Sequence, residues 1–256
     1  MTGRVAYSKA GFIASVLFDR IEARNAMTWQ MYEQLDLACG EIATDDEVRV
    51  GLFRGAGGNF AAGTDIAQFA EFSGAESGIA YERRIEASIE RIERIPKPMI
   101  AVVEGNCIGG GLMIAAACDV RIATASARFG VPIARTLGNC LSPFNVARLL
   151  AHFGPGRTRR MLLFAEVLSA AEAESCGFIT RAAAPHELDN IARELCARVS
   201  GQAPLTMAAT KEMMRRIAAA NVPDCDDLIR KVYGSEDFKE GVSAFIAKRP
   251  PHWRGK

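Results

Sequence analysis

What the sequence has little of narrows it first. It has no CxxC pair, and its seven cysteines (Cys39, Cys107, Cys118, Cys140, Cys176, Cys196 and Cys225) are odd in number and widely spaced. Neither a disulfide framework nor a zinc ribbon takes that form. The three histidines, His152, His186 and His252, stand far apart in no ligand spacing, so no metal site is expected. Neither sign of charge dominates: 31 basic and 30 acidic residues leave a formal net charge of +1. A domain that holds nucleic acid by bulk electrostatics usually carries a basic excess. No apolar run approaches the roughly 20 residues of a membrane helix. Met1-Thr2-Gly3-Arg4 is not a basic region leading into an apolar signal stretch. These absences predict a soluble, cytoplasmic protein with reduced cysteines and no nucleic-acid or membrane partner.

What is there suffices for a core. The 256 residues are 49% apolar, enough for one or two domains. Residues 5–7 and 12–18 read as strands joined by a turn at Lys9-Ala10-Gly11. Thr28 is a good N-cap for a helix reaching residue 42. A strand over 48–53 runs into Gly55-Ala56-Gly57-Gly58. Ile85, Ile89 and Ile92 mark a helix over 77–95, which Pro96 and Pro98 end. Strands over 99–103 and 120–123 flank an apolar helix at 111–118. Beyond Pro143, helices are predicted over 146–150, 157–164, 170–176, 185–199, 205–219 and 236–248, with only 178–184 extended. Strand–helix alternation followed by helices predicts an α/β core with a helical C-terminal region.

Two segments stand out. Each is a strand, then a glycine-dense turn, then a helix. They are Gly55-Ala56-Gly57-Gly58-Asn59-Phe60-Ala61-Ala62-Gly63-Thr64-Asp65-Ile66 and residues 97–112, which hold Gly105 and Gly109-Gly110-Gly111. Glycine lets a backbone turn sharply and approach a ligand closely. A helix N-terminus presents unpaired N–H groups with positive partial charge. Two such turns can aim two N–H groups at one oxygen. A dinucleotide fingerprint fails because Phe60 stands where GxGxxG needs its last glycine. A phosphate loop fails because Leu112, not lysine, follows Gly111.

Together these segments resemble the crotonase superfamily, the enoyl-CoA hydratase/isomerase family. Further motifs carry the resemblance along nearly the whole chain. They are Arg24-Asn25-Ala26-Met27, Ala117-Cys118-Asp119-Val120-Arg121-Ile122-Ala123 with Phe129-Gly130, Glu240-Gly241-Val242-Ser243-Ala244-Phe245 and Lys248-Arg249-Pro250. The resemblance implies an α/β, crotonase-like (ClpP/crotonase) spiral of ββα units over 1–195. It implies a helical region over 196–256 for trimerisation and closure over CoA. It further implies a coenzyme A thioester as substrate, no permanently bound cofactor, and a homotrimer or dimer of trimers. Apolar helical surface at 114–117 and 146–150 is then expected to lie open on a single chain.

Carried over by motif, the backbone N–H groups of Thr64 and Gly110 form the oxyanion hole for a thioester enolate. Only the backbone is used there, so the side chain at position 64 is free to vary. The CoA- and substrate-binding set is Arg24, Ala26, Ala61, Ala62, Gly63, Asp65, Ile66, Ile108, Gly109, Met113, Pro132, Ile133 and Leu137. Phe245 and Lys248 resemble residues that reach CoA from a neighbouring subunit.

The chain departs from the family where water is activated. Hydratases of the family use two glutamates, and here those slots hold Met113 and Ile133, which neither accept a proton nor orient water. Other members place a carboxylate in a later turn, here Leu137-Gly138-Asn139-Cys140-Leu141-Ser142-Pro143, which has none. Asn139 and Cys140 are the candidates there, the thiolate of Cys140 being favoured if it lies near a helix N-terminus. Glu104, Arg135, Glu71, Glu76 and Glu82 are further polar candidates. The functional expectation is an acyl-CoA lyase or isomerase that is not a standard two-glutamate hydratase. The alternative is a family member that binds acyl-CoA without catalysis.

Overall fold

The computed structural model describes residues 3–220 and 222–255; Met1 and Thr2 of the N-terminal motif, Asn221 and Lys256 lie outside it. Strands β1 (Arg4–Ala10) and β2 (Ile13–Asp19) form an antiparallel hairpin turning at Gly11, whose φ of 57° suits glycine. Along β2 burial alternates, so Ala14, Val16 and Phe18 enter the core. Helix α1 (Trp29–Thr44) starts where Thr28 Oγ1 accepts the Met31 N–H at 3.2 Å. Then come β3 (Val50–Gly55), α2 (Ala75–Glu93), β4 (Met99–Val103), β5 (Asn106–Ile108) and α3 (Gly110–Ala117). They are followed by β6 (Val120–Thr124), β7 (Arg128–Gly130), α4 (Ile133–Thr136), α5 (Pro143–Leu163), β8 (Val167–Ser169), α6 (Ala170–Ser175) and β9 (Arg181–Ala183). Helices α7 (Leu188–Ser200), α8 (Pro204–Ala219), α9 (Asp226–Tyr233) and α10 (Glu236–Ile246) complete the chain.

The larger sheet has the order β1-β2-β3-β4-β6-β9 and is parallel from β2 onward. A second sheet, β5-β7-β8, takes the short strands that follow β4 and β6, and β8 joins it after α5. The chain therefore steps from sheet to sheet to helix, as in β4-β5-α3 and β6-β7-α4, which is the expected spiral. Buried Phe18, Phe53, Phe60, Met99 and Leu112 belong to the main core. All of β4 is buried, so it reads as a continuous apolar run rather than an alternating one.

Several expectations need correction. The stretches 146–150 and 157–164 are both helical as expected, but they run longer and meet end to end in α5, where Gly154 (φ 70°, ψ 167°) breaks the helix before Pro155. Strands β5, β7 and β8 and helix α9 were not predicted, and the extended 178–184 narrows to β9. Residues 114–117 do not lie open: Ile114 is fully buried and Ala117 is 6% exposed, because α3 packs on α2 and α5 within the chain. Leu150 does stay exposed. In the C-terminal region, α9 packs on α2 and α10 packs on the 3-10 helix Ile66–Glu71, while α8 buries none of its residues.

Candidate active site

The two glycine-dense turns meet. An isolated bridge joins Ala61 to Cys107, and the Ile108 N–H donates to Ala61 O at 3.0 Å. The contact tolerates no side chain at Gly111, where a Cβ would stand 2.3 Å from Ala61 O. Gly63 (φ 101°) and Gly109 (φ 52°) take conformations open to glycine, and a Cβ on Gly109 would lie 3.6 Å from Gly63 Cα. Thr64 and Gly110 are thereby adjacent: a Cβ on Gly110 would be 3.7 Å from Thr64 N. Gly110 is the first residue of α3, so its N–H has no partner within the helix. Neither the Thr64 nor the Gly110 amide has a protein acceptor among the described residues.

The first motif is tied to these turns. The Ala62 N–H donates to Arg24 O at 3.0 Å, and Met27 bridges Thr64. Arg24 is exposed and left-handed (φ 50°), as is its buried neighbour Asn25 (φ 60°). Asn25 Nδ2 donates to Ala56 O at 2.8 Å and Asn59 O at 2.7 Å, and its Oδ1 accepts the Arg20 N–H at 2.9 Å. Asp65 caps the 3-10 helix through the Ala67 N–H and pairs with Arg20 at 2.9 Å. Ala26 is half-buried beside it, its carbonyl accepting from Arg20.

Around the amides lie hydroxyls whose role the sequence did not reveal. Tyr32 Oη is 2.9 Å from Thr64 Oγ1, and Tyr81 Oη is 3.1 Å from the same atom. Burial pushes the Tyr32 phenol up to about 12 and raises Tyr81 as well, so both are protonated at neutral pH. Tyr32 lies on α1 and Tyr81 on α2 at positions that read as ordinary core of an amphipathic helix. Tyr233, on the unpredicted α9, is a further phenol, buried like Tyr32.

Of the polar candidates after the first glycine turn, only Glu82 is buried. Its Oε1 accepts from Tyr233 Oη at 2.6 Å and its Oε2 from the Ser142 N–H at 2.7 Å. Burial raises its carboxyl to about 7, although both hydrogen bonds favour the anion. Glu71 is exposed, Glu76 pairs with Arg230 at 2.6 Å, Glu104 pairs with Arg54 at 2.7 Å, and Arg135 is exposed. Asn139 Nδ2 donates to Tyr233 Oη at 3.1 Å. The favoured thiolate at Cys140 does not fit its surroundings. Burial, with Glu82 nearby, pushes the thiol up to about 12, and the cap of α5 is Ser142.

Met113 is 1% exposed within the main core. Ile133 opens α4 after Pro132, packs against the same core, and Leu137 follows the helix, buried in a second apolar cluster. Ile66 packs against that second cluster, while Ile108 is half-buried at the end of β5. Phe69, Phe72, Tyr233, Phe238 and Val242 line a cavity of about 470 Å³ between the 3-10 helix Ile66–Glu71 and α10. Phe245 is half-exposed on α10, and Lys248 follows it in a left-handed turn (φ 53°).

Two amides without a protein acceptor among the described residues, at touching glycine turns, are an arrangement able to hold one oxygen as it gains negative charge. Residues 8–256 match the family profile described as enoyl-CoA hydratase/isomerase, and the chain belongs to that family. It is 31% identical to the short-chain-enoyl-CoA hydratase of Clostridium acetobutylicum, over 96% of this chain and 95% of that one. It is equally 31% identical to the carnitinyl-CoA dehydratase of Proteus mirabilis, covering 96% of each. A solved methylmalonyl-CoA decarboxylase in complex with 2-nitronate-propionyl-CoA superposes with a TM-score of 0.91 at 26% identity, covering 99% of both chains.

Proposed function

We propose that this protein binds an acyl-CoA thioester and stabilises its enolate with the N–H groups of Thr64 and Gly110, by a route other than two-glutamate water addition. The contact between the two glycine turns carries this reading, because it leaves two adjacent amides without a protein acceptor. The relatives support the substrate class, since a hydratase, a dehydratase and a decarboxylase on this fold are all named for acyl-CoA substrates. The side chains argue against ordinary hydration: Met113 and Ile133 occupy the glutamate slots and pack in apolar surroundings. Arg24 and Lys248 are the basic groups assigned to the CoA phosphates. Ala26, Ala61, Ala62, Gly63, Asp65 and Ile66 are assigned to the rest of the CoA moiety of the substrate. Ile108, Gly109, Met113, Pro132, Ile133 and Leu137 line the acyl side, and Phe245 closes over CoA. The core at 1–195 does the chemistry, and the outward α8 within 196–256 serves assembly into trimers.

A direct test removes one donor. Proline lacks the N–H, and the first position of a helix accepts it. Its Cβ would nevertheless stand 2.5 Å from Tyr32 Oη, so Gly110→Pro belongs in a Tyr32→Phe background. Against Tyr32→Phe alone, turnover or deuterium exchange at Cα across a panel of acyl-CoA thioesters should fall about 10²–10³-fold. Unchanged rates in a folded double variant would refute the assignment. Tight binding by the unmodified protein, with no product and no exchange from any thioester, would favour an acyl-CoA-binding member without catalysis.

A further inference from the structure

The hydroxyls beside the amides carry one proton more than they have acceptors for. Tyr32 Oη, Thr64 Oγ1 and Tyr81 Oη form a chain with links of 2.9 Å and 3.1 Å. Three hydroxyls bring three protons and the chain holds two hydrogen bonds, so one O–H remains over. Packing decides which. Tyr32 is 1% exposed, and its oxygen lies 2.5 Å from where a Cβ on Gly110 would stand. A proton there aimed away from Thr64 would be a buried donor without an acceptor, an arrangement folded proteins avoid. Tyr32 therefore donates to Thr64, and Thr64 donates its single proton to Tyr81. Tyr81 keeps the spare one, with no further acceptor for it among the described residues. Tyr81 is also the half-buried member of the chain, and its ring packs on Phe69 and Phe72 at the cavity wall.

We propose that Tyr81 gives its hydroxyl hydrogen bond to the bound thioester enolate, as a third donor beside the amides of Thr64 and Gly110. This rests on the reading that the thioester oxygen sits at those amides. Thr64 then has two functions, one through its backbone and one through a side chain that passes the hydrogen-bond direction from Tyr32 to Tyr81. A donor aimed at developing negative charge discriminates between an enolate and a neutral thioester, whereas a purely structural tyrosine affects both alike.

The experiment measures binding of propionyl-CoA and of 2-nitronate-propionyl-CoA, an anionic enolate mimic, to the unmodified protein, Tyr81→Phe and Tyr32→Phe. Tyr81→Phe keeps the ring contacts and should lower the preference for the nitronate by about ten- to a hundredfold, with a much smaller loss for propionyl-CoA, whose neutral carbonyl is the weaker acceptor. Tyr32→Phe should lower it less, because the Thr64-to-Tyr81 link survives. Fluorinated tyrosine at position 81, a stronger donor with the same shape, should raise the preference. An unchanged preference in Tyr81→Phe, equal losses for both ligands, a larger loss in Tyr32→Phe, or indifference to fluorination overturns the role of Tyr81. If the unmodified protein itself shows no preference for the nitronate, the oxyanion-hole reading falls first and the role of Tyr81 falls with it.

Discussion

At the scale of single residues, Asn25 shows how a motif residue serves the site without touching it. Two consecutive left-handed residues, Arg24 and Asn25, are an uncommon backbone, and asparagine is among the side chains that tolerate it. Its amide satisfies two carbonyls of the glycine-rich segment and one backbone N–H while fully buried. Asn25→Ala leaves those three groups unpaired and should cost about 2–3 kcal/mol in a denaturant titration. Alanine scanning should show a much smaller cost at exposed Arg24, whose motif role depends on its carbonyl and charge. The glycine turns were legible at this scale, because glycine patterns are read from residue type alone, whereas the proposed departures at Met113 and Ile133 rest on the family resemblance. The Thr64 side chain was not legible. Its position looked free to vary, and only the convergence of residues 32, 64 and 81 from α1, the glycine turn and α2 gives its hydroxyl two partners. Convergence of that kind is tertiary and leaves no periodic trace.

Among elements, the strand–helix alternation was legible and the shortest pieces were not. Strands β5, β7 and β8 have three residues each, too few for an alternation to register. Helix α9 has eight residues and begins amid acidic residues after Pro223, a length over which a helical period barely repeats. It proves to be docked on α2 through the Tyr233–Glu82 hydrogen bond, which also reaches the Asn139 turn. That junction should respond to pH. The folded carboxyl of Glu82 lies at about 7, above its ordinary value of 4.5. The folded state therefore holds a proton that the unfolded chain has released. This contribution is complete below about 4.5 and is lost as pH rises through 7, by up to about 3 kcal/mol. His152 acts oppositely: burial lowers it to about 4, so its contribution is lost as pH falls through that value. Subtracting a Glu82→Gln variant isolates the carboxyl. In thermal melts at pH 5 and pH 8, the stability of unmodified protein relative to Glu82→Gln should decline toward pH 8. A constant difference would mean that Glu82 ionises as it does in water.

For the whole molecule, near-neutral charge and an apolar outward helix must be read together. With a net charge of +1, no overall field gathers an anionic ligand, so CoA has to be held by placed groups. The same balance offers little repulsion between copies. Helix α8 has no buried residue in the single chain, yet Leu205 is 85% exposed and Ile217 75%, with Met213 one turn before it. On its other side Lys211 pairs with Asp119 at 2.6 Å and Arg215 with Glu90 at 3.3 Å, so polar contacts pin the helix to the chain while these apolar side chains stay outward. Leu163 and Phe164 at the end of α5 are open as well. Together these surfaces are suited to contact between copies, in keeping with the proposed trimer. Replacing Met213 and Ile217 by aspartate puts two charges on that face and would desolvate both on assembly. Light scattering coupled to size exclusion should then report a shift from a trimeric or larger mass toward the single-chain 27.6 kDa. Circular dichroism should show the core retained, because the larger sheet and helices α1, α2, α3, α5 and α7 bury faces within the chain. An unchanged mass would exclude α8 as the assembly surface, and a protein that is already monomeric before substitution would exclude the trimer.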